Sequence, residues 1–167
     1  MNIVYGLLIS LAVVVLMEFG AYALHRWVMH GWGWGWHKSH HEEHDEHDGP
    51  FEKNDLYAVV FAVASIALFA LGTWIPLLTW IAIGVTAYGV LYFVFHDGLV
   101  HQRWLFKKPP RSGYLKRLYQ AHRLHHAVDE KDGAVSFGFL YAPPVAELSK
   151  TLGERRRSAK PVDHTPL

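Results

Sequence analysis

The stretch IVYGLLISLAVVVLMEFGAYALHRWVMH, residues 3–30, contains the two signals that decide the fold. Residues 3–24 carry no charge except Glu18, and about 20 residues of this kind cross the hydrocarbon core of a bilayer as a helix. His25 and His30 follow where the apolar run ends. The stretch therefore predicts a membrane-spanning helix that brings two imidazoles to one face of the bilayer.

Two further apolar blocks, residues 56–75 and 77–95, are separated only by Pro76. Because proline suits the break between two helices, these blocks are predicted to form a hairpin of two more spans. The predicted fold class is an all-α integral membrane helical bundle with three clear spans. Residues 134–146 are apolar but contain a glycine and two prolines, so the sequence leaves open a fourth short or interfacial segment.

Charge predicts how the spans are oriented. All 16 lysines and arginines lie in residues 25–55 and 96–167, which three spans place on the same side of the membrane. Loops rich in lysine and arginine tend to stay inside the cell, so this side is predicted to be cytoplasmic. We expect one membrane domain, residues 1–149, and a polar, mobile tail, residues 150–167.

The composition narrows the chemistry. A net charge of +1 at pH 7 gives no indication of a nucleic-acid partner. The chain contains 13 histidines and no cysteine, which excludes disulfides, thiolate metal sites and cysteine nucleophiles. Any metal ion must therefore be held by imidazole, carboxylate or water.

The histidines repeat one pattern, an H-x4-H pair followed by an H-x2-HH triplet, in both polar segments. The first copy contains His25, His30, His37, His40 and His41. The second copy contains His96, His101, His122, His125 and His126. Each pair begins where a span ends, so the predicted topology brings both copies together as a histidine-rich cytoplasmic cap.

The spacing predicts metal ligands. On a helix the three members of an H-x2-HH triplet share one face, whereas the members of an H-x4-H pair point about 140° apart. Either the helix loosens at each pair, or the two histidines ligate different metals. Ten imidazoles exceed the capacity of one ion, so two ions with four or five ligands each are predicted. Imidazole suits iron, zinc, copper or nickel.

Other ionisable residues receive weaker interpretations. His44 and His47 extend the first copy within an acidic run, and their role is left open; His164 is interpreted as a surface residue. Glu18 lies two turns before His25 on one helix face, where it is predicted to orient that imidazole or to line a substrate path. Asp97 is predicted to hold a neighbouring imidazole.

At this point the motifs resemble the membrane fatty acid hydroxylase and sterol desaturase superfamily. Three stretches are most similar to its bacterial β-carotene hydroxylase group: HDGLVHQRW (residues 96–104), HRLHH (residues 122–126) and VSFGFLYAPP (residues 135–144). The likeness covers nearly the whole chain except the tail. All ten patterned histidines match the metal-binding motifs of the superfamily.

The resemblance implies O2-dependent hydroxylation at carbon 3 of each β-ionone ring, from β-carotene through β-cryptoxanthin to zeaxanthin. It further implies two nonhaem iron ions, electrons from a ferredoxin and its reductase, and a location in the bacterial inner membrane. An apolar polyene is expected to enter from the bilayer. Five residues of the third span are candidates for lining that route or for ordinary helix packing: Gly84, Tyr88, Gly89, Tyr92 and Phe93.

A basic cluster is predicted either to dock an acidic ferredoxin or merely to reflect the inside location of basic loops. It contains Arg103, Lys107, Lys108, Arg111, Lys116 and Arg117. Rival functions are a related lipid hydroxylase, desaturase or carotenoid ketolase, and, from another class, a histidine-rich membrane metal transporter. A transporter needs ligands at mid-membrane, whereas the patterned histidines lie at or beyond the ends of spans.

Overall fold

The protein is all-helical over the part of the chain that the computed structural model describes, residues 2–42, 49, 51–103 and 105–159. Six α-helices follow in order: α1 (Ile3–Ala23), α2 (Trp34–His41), α3 (Asp55–Gly72), α4 (Pro76–Tyr92), α5 (Gly113–His125) and α6 (Val145–Ala159). Two wider π-helical stretches continue α1 and α4, namely the first π segment (Leu24–Trp32) and the second π segment (Phe93–Val100). The predicted fold class is confirmed.

Three helices are long and apolar enough to cross a membrane: Ile3–Trp32, Asp55–Gly72 and Pro76–Val100. Their number and order agree with the predicted spans. The first and third extend beyond the predicted ends because the π segments continue the helices. Pro76 occupies the first turn of α4, where its missing N–H leaves no hydrogen bond unmade.

Helix α4 packs between α1 and α3. Small residues allow α1 to approach it closely: a Cβ atom on Gly84 would lie 2.6 Å from the Cβ atom of Val13. The Ser10 hydroxyl, also on α1, donates to the carbonyl of Trp80 at 2.7 Å. Gly84, one of the predicted route residues, therefore serves helix packing.

His25 and His30 lie in the first π segment, His96 lies in the second, and His101 directly follows it. In these segments each backbone N–H donates to the carbonyl five residues earlier instead of four. The N–H of His101 donates to the carbonyl of His96 at 3.0 Å, and that of Gly33 to Val28 at 2.8 Å. The first π segment ends in a kink, because Gly31 leaves helical angles. The predicted alternative in which the helix loosens at each pair is therefore the one observed.

The cap beyond the spans is built by α2, α5, α6 and the loop between α5 and α6. Leu118 of α5 packs with Val135 and Ala142 of the loop and with Leu148 and Leu152 of α6. Helix α6 covers the first part of the predicted tail, residues 150–167: the chain is helical to Ala159, and the buried Leu152 packs this helix against α5. Residues 160–167, including His164, lie outside the described part.

The loop of residues 134–144 is neither a fourth span nor a helix. It reaches back to the level of Glu18, inside the first span, where its backbone meets that carboxylate. Trp27 and Trp32 are highly exposed at the end of that span, where membrane proteins commonly carry a belt of aromatic residues. Trp34 differs, since its ring packs 5.1 Å from the ring of His30.

Candidate metal centre

All ten patterned histidines converge in the cap. Two groups of four have ring nitrogens within 4.8 Å of one another. The first histidine group comprises His25, His30, His37 and His125, which are all buried. The second histidine group comprises His40, His101, His122 and His126, of which His101 and His126 are half-buried. Each group is placed to hold one metal ion.

The groups do not follow the two copies of the sequence pattern. Each takes three members from one copy and one from the other, since His125 joins the first group and His40 joins the second. The H-x2-HH triplets are therefore divided between the groups, unlike the single direction predicted for each triplet. A helix face is broad enough for neighbouring rings on it to serve two ions that lie side by side.

The two remaining histidines flank the groups. His96 Nε2 lies 3.2 Å from His40 Nε2, beside the second group. The ring of His41 lies 4.9 Å from that of His125, beside the first group, and 4.4 Å from that of His126. Each H-x4-H pair therefore stays on one side of the centre, with the rings of His25 and His30 5.3 Å apart.

The outer ring nitrogens of the first group donate to neutral acceptors. His25 Nδ1 donates to the carbonyl of Phe137 at 2.9 Å, and His125 Nδ1 to that of Val135 at 2.9 Å. His30 Nδ1 donates to the Lys131 carbonyl at 2.7 Å, His37 Nδ1 to Asn54 Oδ1 at 2.8 Å, and His41 Nδ1 to the Val128 carbonyl at 3.0 Å.

On the side of the second group, two outer nitrogens meet carboxylates instead. His40 Nδ1 donates to Glu52 Oε2 at 2.9 Å. His96 Nδ1 donates to Asp97 Oδ1 at 2.7 Å, so the contact predicted for Asp97 is present. Arg103 continues this network, with paired hydrogen bonds of 3.0 Å to the carboxylate of Asp55 and an ion pair of 3.5 Å with Glu52.

These outer contacts fix the tautomer of the seven rings that make them. Carbonyl and carboxylate oxygens only accept, so Nδ1 carries the proton and Nε2 of the neutral ring presents a lone pair. Yet Nε2 of His25 lies 3.0 Å from that of His37, and Nε2 of His30 lies 3.1 Å from that of His125. Two lone pairs at that distance repel each other, and a cation bound by both nitrogens removes this repulsion. Two nitrogens bound at right angles, each about 2.1 Å from one ion, are about 3.0 Å apart.

One further atom fits the same interpretation. His41 Nε2 is buried and has no hydrogen-bond partner within the part of the chain that the structure describes. A buried polar nitrogen without a partner is costly, and a metal ion removes that cost. The donor set and its geometry therefore fit metal ions held by imidazole.

Burial keeps the imidazole rings neutral, so that their nitrogens can bind a cation. It lowers the pKa of His37 to about 3 and that of His41 to about 4, because charging a ring inside the cap loses solvation. It lowers the pKa values of His40, His122 and His125 strongly for the same reason. The rings are therefore neutral near pH 7.

Among the described residues, Glu18 makes no hydrogen bond to His25, which it was predicted to orient; His25 Nδ1 donates to the Phe137 carbonyl instead. Its Oε1 atom accepts the backbone N–H groups of Phe139, Leu140 and Tyr141, each at 3.0 Å. Its Oε2 atom accepts the Tyr88 hydroxyl at 2.8 Å. Glu18 thus fastens the loop whose Phe137 carbonyl holds His25.

An apolar cavity of about 550 Å³ lies between α1, α3 and α4 and reaches Phe139 and Asp97. The ring of Phe139 stacks on that of His25 at 5.0 Å and meets that of His96 edge-on at 5.1 Å. Four of the five predicted route residues line this cavity: Tyr88, Gly89, Tyr92 and Phe93. Glu18 is not among the residues that line this cavity, and its place on a substrate path stays a prediction.

The predicted basic cluster is only partly a surface. Arg103 is half-buried in ion pairs with Asp55 and Glu52. The other five members are exposed: Lys107, Lys108, Arg111, Lys116 and Arg117. His44 and His47 lie outside the described residues.

Sequence reasoning missed Glu52 and Asn54, which hold His40 and His37. Their signal was weak, since polar residues just before a span are common. The carbonyl acceptors in the loop carry no signal in a sequence at all, because every residue has a carbonyl.

The sequence of the chain is similar to those of known proteins. Residues 10–143 match the family model described as fatty acid hydroxylase. The chain is 60% identical over 161 residues to a protein named beta-carotene hydroxylase from Paracoccus sp. (strain PC1), covering 95% of this chain and 97% of that one. It is 63% identical to a protein of the same name from Paracoccus sp. (strain N81106 / MBIC 01143), covering 87% and 89%. A third, from Pantoea ananas, is 60% identical and covers 91% and 86%.

No solved structure matches the chain. The chain belongs to the fatty acid hydroxylase family, and its three span-forming helices and clustered histidines are consistent with that class. It is an integral membrane protein and a hydroxylating oxidoreductase, and the resemblance seen in its motifs is confirmed.

Proposed function

We propose that the protein hydroxylates carbon 3 of the β-ionone rings of carotenoids, converting β-carotene to zeaxanthin through β-cryptoxanthin. The observation that carries this proposal is the apolar cavity between the spans, which ends at Phe139 beside the rings of His25 and His96. The relatives that share most of the chain are named for this substrate.

The centre that we propose holds two nonhaem iron ions. We assign His25, His30, His37, His41 and His125 to one ion. We assign His40, His96, His101, His122 and His126 to the other. Bound iron supplies the activation of O2 that an unactivated ring C–H bond requires. The inward Nε2 lone pairs support this assignment, and imidazole is a suitable ligand for iron.

The protein's own residues set the geometry of the rings. The carbonyls of Val135 and Phe137, the Asn54 amide and the carboxylates of Glu52 and Asp97 hold Nδ1 protonated, so that Nε2 stays available. Partners of this kind typically change metal affinity or activity about 10–100-fold when removed. We propose Asp97 and Glu18 as positioning residues, the first through His96 and the second through the loop.

The substrate enters from the bilayer because its polyene is apolar. Tyr88, Tyr92 and Phe93 line one side of the cavity and Phe139 closes its inner end. This wall leaves little room for water next to the reacting ring carbon, which limits side reactions.

Each hydroxylation needs two electrons: one oxygen atom of O2 enters the C–H bond, and the other leaves as water with two protons. We propose that a ferredoxin, reduced by its reductase, supplies these electrons from the cytoplasmic side of a bacterial inner membrane. The exposed members of the basic cluster, together with the half-buried rings of His101 and His126, support docking of an acidic donor on this face.

The test is carotenoid analysis in a host that produces β-carotene. We expect zeaxanthin with the wild type and with Arg123→Ala, an exposed change on the same helix, and unchanged β-carotene with His125→Ala. Purified protein should contain two irons per chain and consume O2 only with reductant and carotene. A ketone or a desaturated product would indicate the related chemistries, and metal flux into vesicles without product would overturn the proposal in favour of a transporter.

A further inference from the structure

A second cavity, of about 200 Å³, lies on the outer side of the loop that holds His25 and His125. Val135 and Phe137, whose carbonyls accept from those two histidines, form part of its wall. Arg26 from the end of the first span and Arg155 from α6 also line it. The cavity is therefore separated from the metal centre by one thickness of loop.

The guanidinium groups of Arg26 and Arg155 have more N–H donors than their hydrogen bonds within the protein use. Arg26 donates one N–H to the Tyr22 hydroxyl at 2.8 Å, and its guanidinium lies 5.6 Å from the centre of the Phe137 ring. Arg155 donates from one nitrogen to the carbonyls of Gly133 and Ala134. Each guanidinium has five N–H donors, so several remain on both.

The charged side chains that line this cavity are all positive. No aspartate or glutamate is among the described residues that line it, whereas two arginines are. The polar side chains that accompany them carry hydroxyls and belong to Tyr22, Ser136, Tyr141 and Thr151. Arginine and hydroxyl donors around a pocket are the chemistry that binds phosphate.

The depth of the cavity indicates where the phosphate comes from. Arg26 is the first basic residue after the apolar run, and the neighbouring Trp27 is 64% exposed. Tyr141, also on the lining, is 64% exposed as well. Exposed aromatic rings beside a basic residue at the end of a span mark the headgroup level of a bilayer.

We propose that this cavity binds the headgroup phosphate of an anionic phospholipid, held by Arg26 and Arg155. Basic pockets between membrane helices are suited to such headgroups. The apolar part of the lining, which includes Pro143 and Leu148, accommodates the glycerol end of the lipid. A lipid bound here supports the loop segment that orients His25 and His125 from the side opposite the metals.

Binding is measured without turnover, so this proposal stands or falls separately from the carotenoid proposal. Iron-loaded protein is reconstituted in nanodiscs of phosphatidylcholine with a minor share of phosphatidylglycerol, and retained lipid is counted by native mass spectrometry. We expect one phosphatidylglycerol to remain on the wild type. Arg26→Gln should weaken its affinity about tenfold or more, which corresponds to 1.4 kcal/mol.

Matched variants separate this site from general surface charge. Arg157→Gln removes the same charge from an exposed position on α6 and should retain the lipid, whereas Arg155→Gln should lose it. Arg26→Lys keeps the positive charge but removes the planar guanidinium that can donate two parallel hydrogen bonds to a phosphate. We therefore expect an intermediate affinity for the lipid. Equal retention by all four variants would overturn the proposal. So would displacement of the lipid by millimolar inorganic phosphate, which would instead identify a site for the free anion.

Discussion

The two histidine groups differ in burial and in the charge of their outer partners. Every member of the first group is buried, whereas His101 and His126 of the second are half-buried. The outer partners around the first group are carbonyls and an amide, while Glu52 and Asp97 place carboxylates beside the second. A carboxylate raises the basicity of an imidazole ligand. The two ions of the proposed centre therefore have different surroundings, with the second better suited to carry added positive charge.

The largest test of this comparison removes one ring from each group. We expect His125→Ala and His122→Ala each to reduce hydroxylation below detection and to lower the iron content from two per chain. If the groups bind separate ions, each variant retains about one iron, and iron analysis with Mössbauer spectroscopy shows which environment survives. Two irons retained in either variant would contradict the division into groups.

A smaller effect on the metal centre is expected from changing the side chains that accept hydrogen bonds from the Nδ1 atoms. Glu52→Gln gives His40 a neutral acceptor, and Asn54→Asp gives His37 a carboxylate. We expect the first change to raise the reduction potential of one iron and the second to lower that of the other, with metal affinity changed about 10–100-fold. Potentiometric titration followed by EPR measures both. Shifts of the same sign would show that the carboxylates do not distinguish the groups.

The loop that serves the first group offers a third test. Glu18→Ala leaves three backbone N–H groups and the Tyr88 hydroxyl without an acceptor, so we expect about a tenfold or larger loss of kcat with little change in KM. Glu18→Gln keeps an acceptor oxygen and should restore most of the activity. Equal loss in both variants would show that the charge of Glu18, rather than its fastening of the loop, matters.

Gly138 probes the same contact with a change in stability. A Cβ atom there would lie 2.8 Å from Glu18 Oε1 and 2.6 Å from the Tyr141 carbonyl oxygen. We expect Gly138→Ala to lower the free energy of unfolding by about 1–3 kcal/mol. Gly20→Ala is the matched control, because no atom lies within 4 Å of the added Cβ. Thermal unfolding in detergent compares the two, and equal midpoints would contradict the expectation.

The smallest expected effect is that of low pH on the stability of the protein. The pKa of His37 is about 3 and that of His41 about 4, both below the value of about 6.5 in an unfolded chain. Between these values the unfolded chain binds more protons, so the stability of the metal-free protein falls as the pH drops below about 6.5. Unfolding midpoints of chelator-treated protein at pH 8 and pH 5.5 measure this. A higher midpoint at pH 5.5 would contradict the burial of these rings.

Much of this architecture could be predicted from the sequence because its signals are long or repeated. The apolar runs predict the spans, and the duplicated histidine pattern predicts one centre with two ions. The exchange of His40 and His125 between groups could not be predicted, since ideal helical spacing assigns each triplet a single direction. Nor could the role of Glu18, because its partners are backbone N–H groups some 120 residues away in the chain.

Because of the π segments, the histidine centre depends more on the number of residues between paired histidines than on which residues these are. Of the four residues between His25 and His30, Arg26 and Trp27 are exposed, so a substitution there leaves the spacing of the two histidines unchanged. Deleting any one of the four turns His30 by about 100° relative to His25. Among homologous chains, the number of residues between paired histidines is therefore the quantity under constraint, and a single-codon deletion is the most damaging small mutation that these segments can receive.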